Sequence, residues 1–332
     1  MQQDGVHAAE GGVADPLGVR ADARFVAGHS DYVSIDEAAI DALCGRLAPG
    51  GALALPEWET GYHFVDGGER TVAYIFVLDT LNFCFWGDPK WRRPHGDRWL
   101  DGYWALAAAL TETMHRDPGF FRAEALAAVS AGALRRVLGG EPEIPLLEQR
   151  ARNLRELGRW VAADFEGRYA DVVEEAGFDA IALAGLLVSA LDSFRDEAPY
   201  KGRMVRFYKR AQILAADLFG AFGGRGWGRL SRVDALTAFA DYRVPQILRH
   251  YGVLRYTPAL AERVDARVEL AAGSPEEVEI RANMIWAVEQ IRARLARLGA
   301  ATPSYRIDWL LWSKSRLAHD AKPHHRTRTV YY

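Results

Sequence analysis

The sequence predicts a mainly α-helical protein, one compact domain with a small β element in its N-terminal part. Two patterns predict this. Beyond Pro94 the apolar residues recur at a period of about 3.6 in window after window, whereas residues 71–78 (TVAYIFVL) are the one stretch as β-branched and aromatic as a strand. Continuity adds a third observation: no fixed-period repeat, low-complexity tract or linker divides the body of a 332-residue chain, which is long enough to bury a large core.

Residues 1–20 are rich in Gly, Ala and Asp without periodicity, so they are expected to be disordered and the folded domain to run from 21 to 332. Residues 19–47 read as helical, with Ser34 as an N-cap ahead of Asp36 and Glu37 and with Pro49-Gly50-Gly51 as the stop. The expected strand at 71–78 follows the turn Asp66-Gly67-Gly68, pairs with residues 63–65, and leads into the aromatic segment LDTLNFCFWGD at 78–88. Helices are then expected at 99–115, 119–128, 131–137, 146–165 and 172–188. Two more lie within 203–248, and others at 258–270, at 275–298 behind a Ser274 cap, and at 308–317. Residues 193–197 (SFRDE) read as a solvated charge run closing a helix.

Composition excludes several classes. A net charge of −3 gives no general attraction to nucleic acid, and two cysteines, Cys44 and Cys84, fit a reducing compartment in which thiols pack as small hydrophobes. The N-terminus lacks a cationic start and an apolar core, so no signal peptide is expected. The apolar run at 180–191 is too short to span a bilayer. A cytoplasmic protein is the expectation. No metal framework is present: the adjacent His324 and His325 lack a third ligand at helical spacing, and no G-x-S-x-G elbow or phosphate-loop pattern occurs.

The candidate chemistry centres on residues 203–248. On a helical projection Phe207, Ala211, Leu214 and Leu218 share one face, and Arg206, Arg210 and Asp217 share a second, read as wet. Lys209 belongs to neither, because its neighbours are Ile213, Ala216 and Gly220; an ammonium there needs an anion or a lowered pKa. Asp241 lies just ahead of a Pro245-led helix, where the macrodipole is expected to keep it ionised. Alone, each residue has a plain structural role, a snorkelling lysine and a helix cap. Together they form a candidate pair. Gly223 to Gly228 reads better as a tight turn than as a phosphate cradle. In the aromatic segment Phe85 or Trp86 could stack a base while Asp79, Asn82 or Asp88 bonds its edge, though core packing is the simpler reading. The tail PHHRTRTVYY alternates cations with Thr and ends in aromatics, as an ordered segment would.

LDTLNFCFWGD, FYKRAQILAADL, LTAFADYRVPQIL, EVEIRANMIWAVE and PHHRTRTVYY resemble the queuosine salvage proteins, the queuosine 5′-phosphate N-glycosylase/hydrolase family, over roughly residues 25–332. The resemblance implies hydrolysis of queuosine 5′-monophosphate to free queuine for tRNA modification, without cofactor or metal and without direct nucleic-acid or membrane partners. It also implies a fold similar to the helix-hairpin-helix DNA glycosylases, in which a lysine precedes an aspartate at a helix mouth; Lys209 and Asp241 match that order. The chain departs from them in lacking a clean Leu-Pro-Gly-Ile-Gly hairpin, which leaves residues 199–202 or 223–228 as substitutes. On this basis Asp241 and Lys209 are the expected catalytic pair. Phe85, Trp86, Phe239 and Trp309 are expected to stack the base; Asp79, Asn82 and Asp308 to contact its edge; and Arg243, His63, His324, His325 and Arg326 to meet the phosphate. The rival expectations are a DNA base-excision glycosylase and a non-catalytic queuine- or tRNA-binding protein.

Overall fold

The computed structural model describes residues 14–48, 53–58 and 61–332. Within them lie fourteen α-helices and six short strands. Helix α1 (Val19–Ala27) and strand β1 (Val33–Ile35) precede α2 (Glu37–Leu47), whose first turn is capped by the Asp36 side chain accepting from Ala39 N–H. Helix α3 (Glu69–Thr80) is followed by the hairpin β2 (Arg92–His95) and β3 (Arg98–Asp101), then α4 (Gly102–Arg116), α5 (Ala123–Ala127), α6 (Ala131–Leu138) and α7 (Leu147–Asp164). After α8 (Tyr169–Glu175) and α9 (Ala180–Ala190), a second hairpin, β4 (Glu197–Tyr200) and β5 (Arg203–Arg206), delivers the chain into α10 (Lys209–Ala221). Helix α11 (Arg243–His250) runs into β6 (Leu254–Tyr256), which pairs antiparallel with β1 and so joins the two ends of the fold. Helices α12 (Pro258–Asp265), α13 (Pro275–Arg297) and α14 (Ser304–Leu317) complete it.

The mainly helical expectation holds, but the β element lies elsewhere. Residues 71–78 are the body of α3, not a strand paired with 63–65. The reason is burial on all sides: from Thr71 to Thr80 every residue except Ala73 is buried, so no polar stripe betrays the helical period, and β-branched content alone imitates a strand. The actual strands are short hairpin arms and the β1–β6 pair. Ser34 sits in β1, and the cap of α2 is Asp36. The expected helix at 172–188 is two, broken by left-handed Gly177 and Phe178 and restarted by Asp179, whose carboxylate accepts from the N–H groups of Ile181 and Ala182. The Ser274 cap of α13 is as expected. The Pro49-Gly50-Gly51 stop and residues 1–13 of the expected disordered segment lie outside the described residues, whereas α1 starts at Val19 and Arg20 is buried.

One continuous apolar core links residues from Val19 to Leu311. Its axis is α13, whose buried residues occur on every face; α1, α2, α11 and α14 all pack against it. Helix α10 lies between α9 and α3. That position overturns the wet face assigned to it, because Arg210 and Asp217 are both buried and Arg206 belongs to β5. The charge run at 193–197 is overturned as well. Asp196 is buried and forms a two-pronged ion pair with Arg281 of α13, at 2.6 and 3.0 Å. The guanidinium is stacked on Phe207 (3.9 Å) and Tyr332 (4.2 Å). Burial works against the Arg281 charge, but Asp196 and Glu277 outweigh it and raise its pKa. Removing one partner of such a pair leaves a buried charge unmatched. Arg281→Met is therefore expected to lower the unfolding free energy by about 3–5 kcal/mol, read from urea denaturation.

Candidate active site

Residues 79–85 leave the C-terminal end of α3, where helix carbonyls lack intrahelical donors. Two buried arginines meet them. Arg210 donates to the carbonyls of Asp79 (3.0 Å), Thr80 (2.7 Å) and Ser193, while Arg150 donates to those of Leu81, Phe83 and Cys84 (3.0 Å). Arg150 also lies over the rings of Phe83 and Phe85, at 4.2 and 5.1 Å. The segment is thereby fixed with the Asn82 carbonyl turned toward α10, where it accepts from Lys209 Nζ at 3.1 Å.

Lys209 is the first residue of α10, entered through left-handed Tyr208. The start of the helix is held by Asp196: its carbonyl accepts from Phe207 N–H (2.9 Å) and its Oδ2 from Lys209 N–H (3.3 Å). Lys209 is buried as its projection indicated, and desolvation lowers its pKa to about 8 although Asp241, Asp79 and Asp308 favour its charge.

Residues 236–242, all buried, are anchored nearly one by one. Arg20 donates to the Leu236 carbonyl (2.8 Å), Thr237 binds Gln212 through its N–H (3.0 Å) and Glu289 through its hydroxyl (2.7 Å), and Phe239 N–H donates to Asp308 Oδ1 (3.0 Å). Arg281 Nε donates to the Ala240 carbonyl at 3.1 Å. Asp241 Oδ1 then accepts from the N–H groups of Arg243 (2.9 Å) and Val244 (2.8 Å) at the mouth of α11. The helix end holds this carboxylate as foreseen, yet it does not decide its charge. Burial raises the Asp241 pKa; Lys209, Val244 N–H and Arg243 pull it back down. Asp308 is driven further, well above the usual range, first by burial and then by the charge of Asp241. Of the two carboxyls, Asp308 is the harder to ionise.

These groups open into a cavity of about 210 Å³. Of the residues singled out in the sequence, Asp241, Lys209, Asn82, Phe85, Phe239, Arg243, His63, Asp308 and Trp309 line it. Asp79 stands behind the wall, fully buried, accepting from Asn82 Nδ2 at 3.2 Å. Trp86, His324 and Arg326 line a second cavity, which shares Lys90 and Arg243 with the first. His325 lines neither; it is buried and hydrogen-bonds the Tyr332 hydroxyl (3.3 Å). The tail is ordered, as expected, but burial lowers the pKa of His324 to about 3 and that of His325 well below its usual value, so neither ring supplies a cation.

Several lining residues escaped the sequence reading. Trp58 and His63 stack at 4.3 Å, His63 Nε2 meets the Tyr103 hydroxyl at 2.8 Å, and Trp104 and Trp312 pack edge-on at 5.8 Å. Lys90 and Arg316 bracket Asp101, at 2.7 and 3.5 Å. Gly220 permits the approach of Trp58 to α10, because a Cβ there would lie 2.7 Å from the indole. Only Asp217 left a sequence signal, standing two helical turns beyond Lys209. The linked charges make a direct test possible. Asp241 raises the Lys209 pKa, so in Asp241→Asn the ammonium, followed by NMR of ¹³C-labelled lysine, should titrate below its wild-type midpoint of about 8.

A carboxylate, a lysine and a ring of aromatics in a partly closed cavity suit stabilisation of a cation beside a flat heterocycle. Comparison with known proteins points the same way. The sequence model of the family described as "Queuosine salvage protein" matches residues 62–332. A Sphaerobacter thermophilus protein named Queuosine 5′-phosphate N-glycosylase/hydrolase is 47% identical over 324 residues, covering 96% of this chain and 100% of that one. Proteins of the same name from Mus musculus and Dictyostelium discoideum are 36% and 35% identical, covering 96% and 95% of this chain and 99% and 98% of their own.

Proposed function

Because this chain belongs to the queuosine salvage protein family, we propose that it is an N-glycosidase that hydrolyses queuosine 5′-monophosphate at its N-glycosidic bond and releases queuine for reuse in tRNA modification. The observation that carries the proposal is the placement of Asp241. It is buried in an aromatic-lined cavity, oriented by two backbone N–H groups, with Lys209 lining the same space. Queuine is a 7-deazaguanine, so the ring nitrogen that a purine hydrolase would protonate is a carbon. Departure of the base then leans on stabilising the ribosyl cation. Asp241 serves this either by facing the anomeric carbon as an anion or by activating the attacking water. Lys209 favours the ionised form of Asp241 against the burial that opposes it.

Phe85, Phe239 and Trp309 supply flat surfaces for the base, and Asn82 and Asp308 polar atoms for its edge. For the phosphate the best supported group is the cationic end of the cavity, Arg243 with Lys90 and Arg316. His63 borders the ring cluster, and Arg326 stands in the adjoining cavity, where it pairs with Asp88 at 2.6 Å.

The helical body is in this proposal helix-hairpin-helix glycosylase-like, a kinship supported by the order of a lysine opening α10 and an aspartate before α11. The substrate is a free mononucleotide rather than a nucleic acid, which the partly closed cavity and the net charge of −3 favour. The single catalytic unit, 21–332, is supported by the continuous core, and the cytoplasmic setting by two free, buried cysteines. No helix among the described residues is long and apolar enough to cross a membrane.

Asp241→Asn keeps an oxygen for the Arg243 and Val244 N–H groups while removing the charge. Queuine release from queuosine 5′-monophosphate, followed by mass spectrometry, should fall by at least about 10²–10³-fold while the thermal midpoint stays near that of the wild type. Near-normal turnover by this variant would sink the assignment.

A further inference from the structure

Lys209, Ile213 and Asp217 all line the main cavity, and on α10 they follow one another at four-residue intervals. Asp217 therefore lies about 12 Å along the helix axis from Lys209, at 1.5 Å per residue, with Ile213 offering an apolar surface between them. Arg243 and Arg316 lie within electrostatic reach of Lys90, and Asp217 meets the aromatic group: the Tyr103 hydroxyl donates to its Oδ2 at 3.5 Å and the Trp58 indole also hydrogen-bonds to it.

Asp217 is buried, yet among the described residues it forms no ion pair. A second carboxyl backs it. Asp79 lies within electrostatic range, is completely buried, and has an Oδ2 with no hydrogen-bond partner. Burial raises the pKa of both groups, and the Asp217 charge raises that of Asp79 further, so Asp79 is the harder of the two to ionise. Lys209 acts on Asp217 only through space, without an ion pair, so a buried carboxyl that lines the cavity and is walled by indole and phenol rings keeps capacity for a ligand cation in direct contact.

We propose that Asp217, flanked by Trp58 and Tyr103 and backed by Asp79, binds the protonated secondary amine of queuine's side chain and selects 7-aminomethyl-substituted 7-deazaguanines over neutral ones. This rests on queuosine 5′-monophosphate as the substrate, since queuine carries at its C7 an aminomethyl arm that is cationic at neutral pH. The phosphate of the zwitterionic nucleotide then meets Lys90, Arg243 and Arg316, and its ammonium meets Asp217, all of which line the same cavity. The guanine-type edge of the base is the other group a carboxylate could take, and the two cases separate cleanly.

Calorimetric titration of the wild-type protein with 7-(aminomethyl)-7-deazaguanine and with 7-cyano-7-deazaguanine compares one heterocycle with and without the cation. The amine is expected to bind roughly 30-fold more tightly, the size of a desolvated charge-assisted hydrogen bond, and Asp217→Asn to bring that ratio close to one. Equal binding of the two bases by the wild type overturns the proposal, as does an Asn variant that keeps the preference. The wild-type measurement needs neither turnover nor a folded variant. Queuine release from queuosine 5′-monophosphate is assayed separately, so loss of the glycosidase assignment and loss of the amine site give different results.

Discussion

The buried pair of Asp196 and Arg281 is the constraint on which the site depends. Asp196 fixes the first N–H of α10, and with it the residue that carries the lysine; Arg281 fixes the Ala240 carbonyl, one residue before the aspartate. Arg281 also lies on the ring of Tyr332, which lines the same cavity. A single ion pair thus sets the relative positions of three parts of the chain distant in sequence. Dehydrating two charges is costly, and a well-packed apolar replacement of both can be as stable. What apolar side chains could not reproduce is the direction of the hydrogen bonds. The role proposed for Asp241 requires its carboxylate to be held to within a fraction of an ångström, and bonds of fixed geometry to backbone groups on two elements favour that.

The same economy appears at the end of α3. Helix C-terminal carbonyls are often satisfied by glycine turns or by water; here two guanidinium groups take them inside the core. Arg150 and Arg210 are both desolvated enough to have lowered pKa values, to about 9 and about 10. Their forked, planar donors reach several carbonyls at once, which the single ammonium of a lysine could not do with the same geometry. The result is a rigid backbone from Asp79 to Phe85, so the Asn82 carbonyl that anchors Lys209 is itself immobilised.

How much of this was legible in the sequence depends on whether the signal was local. The Ser274 cap of α13, the order of Lys209 before Asp241, and the off-face position of Lys209 are properties of one helix or one turn, and they are present in the structure. Three readings failed because they depended on what covers a surface. Helix α3 is packed on every side and so lost its period; Asp217 and Arg210 looked exposed because a projection of α10 cannot show that α3 and α9 flank it; Asp196 looked like a solvated end because its partner lies 85 residues away. Trp58 and Tyr103 were invisible for the same reason. Aromatic residues pack nearly everywhere, and only the tertiary arrangement shows which of them enclose a space.

The position of Lys209 carries a last consequence for the chemistry. A positive charge beside a developing ribosyl cation is repulsive, so a lysine in a glycosidase of this kind helps only if its effect on the carboxylate exceeds its effect on the sugar. Coulombic interaction falls with distance, and the balance is therefore set by which group stands nearer the anomeric carbon. Lys209 Nζ is tied to the Asn82 carbonyl rather than to Asp241. That anchor holds the ammonium against the wall while Asp241, fastened by its own helix N–H groups, faces the cavity. The lowered pKa of Lys209 would suit a nucleophilic amine, but a nucleophile has to advance on the sugar, and here the nitrogen is held back. In the proposed reaction, an ammonium held in this way would favour the ionised form of Asp241 and leave the sugar to water.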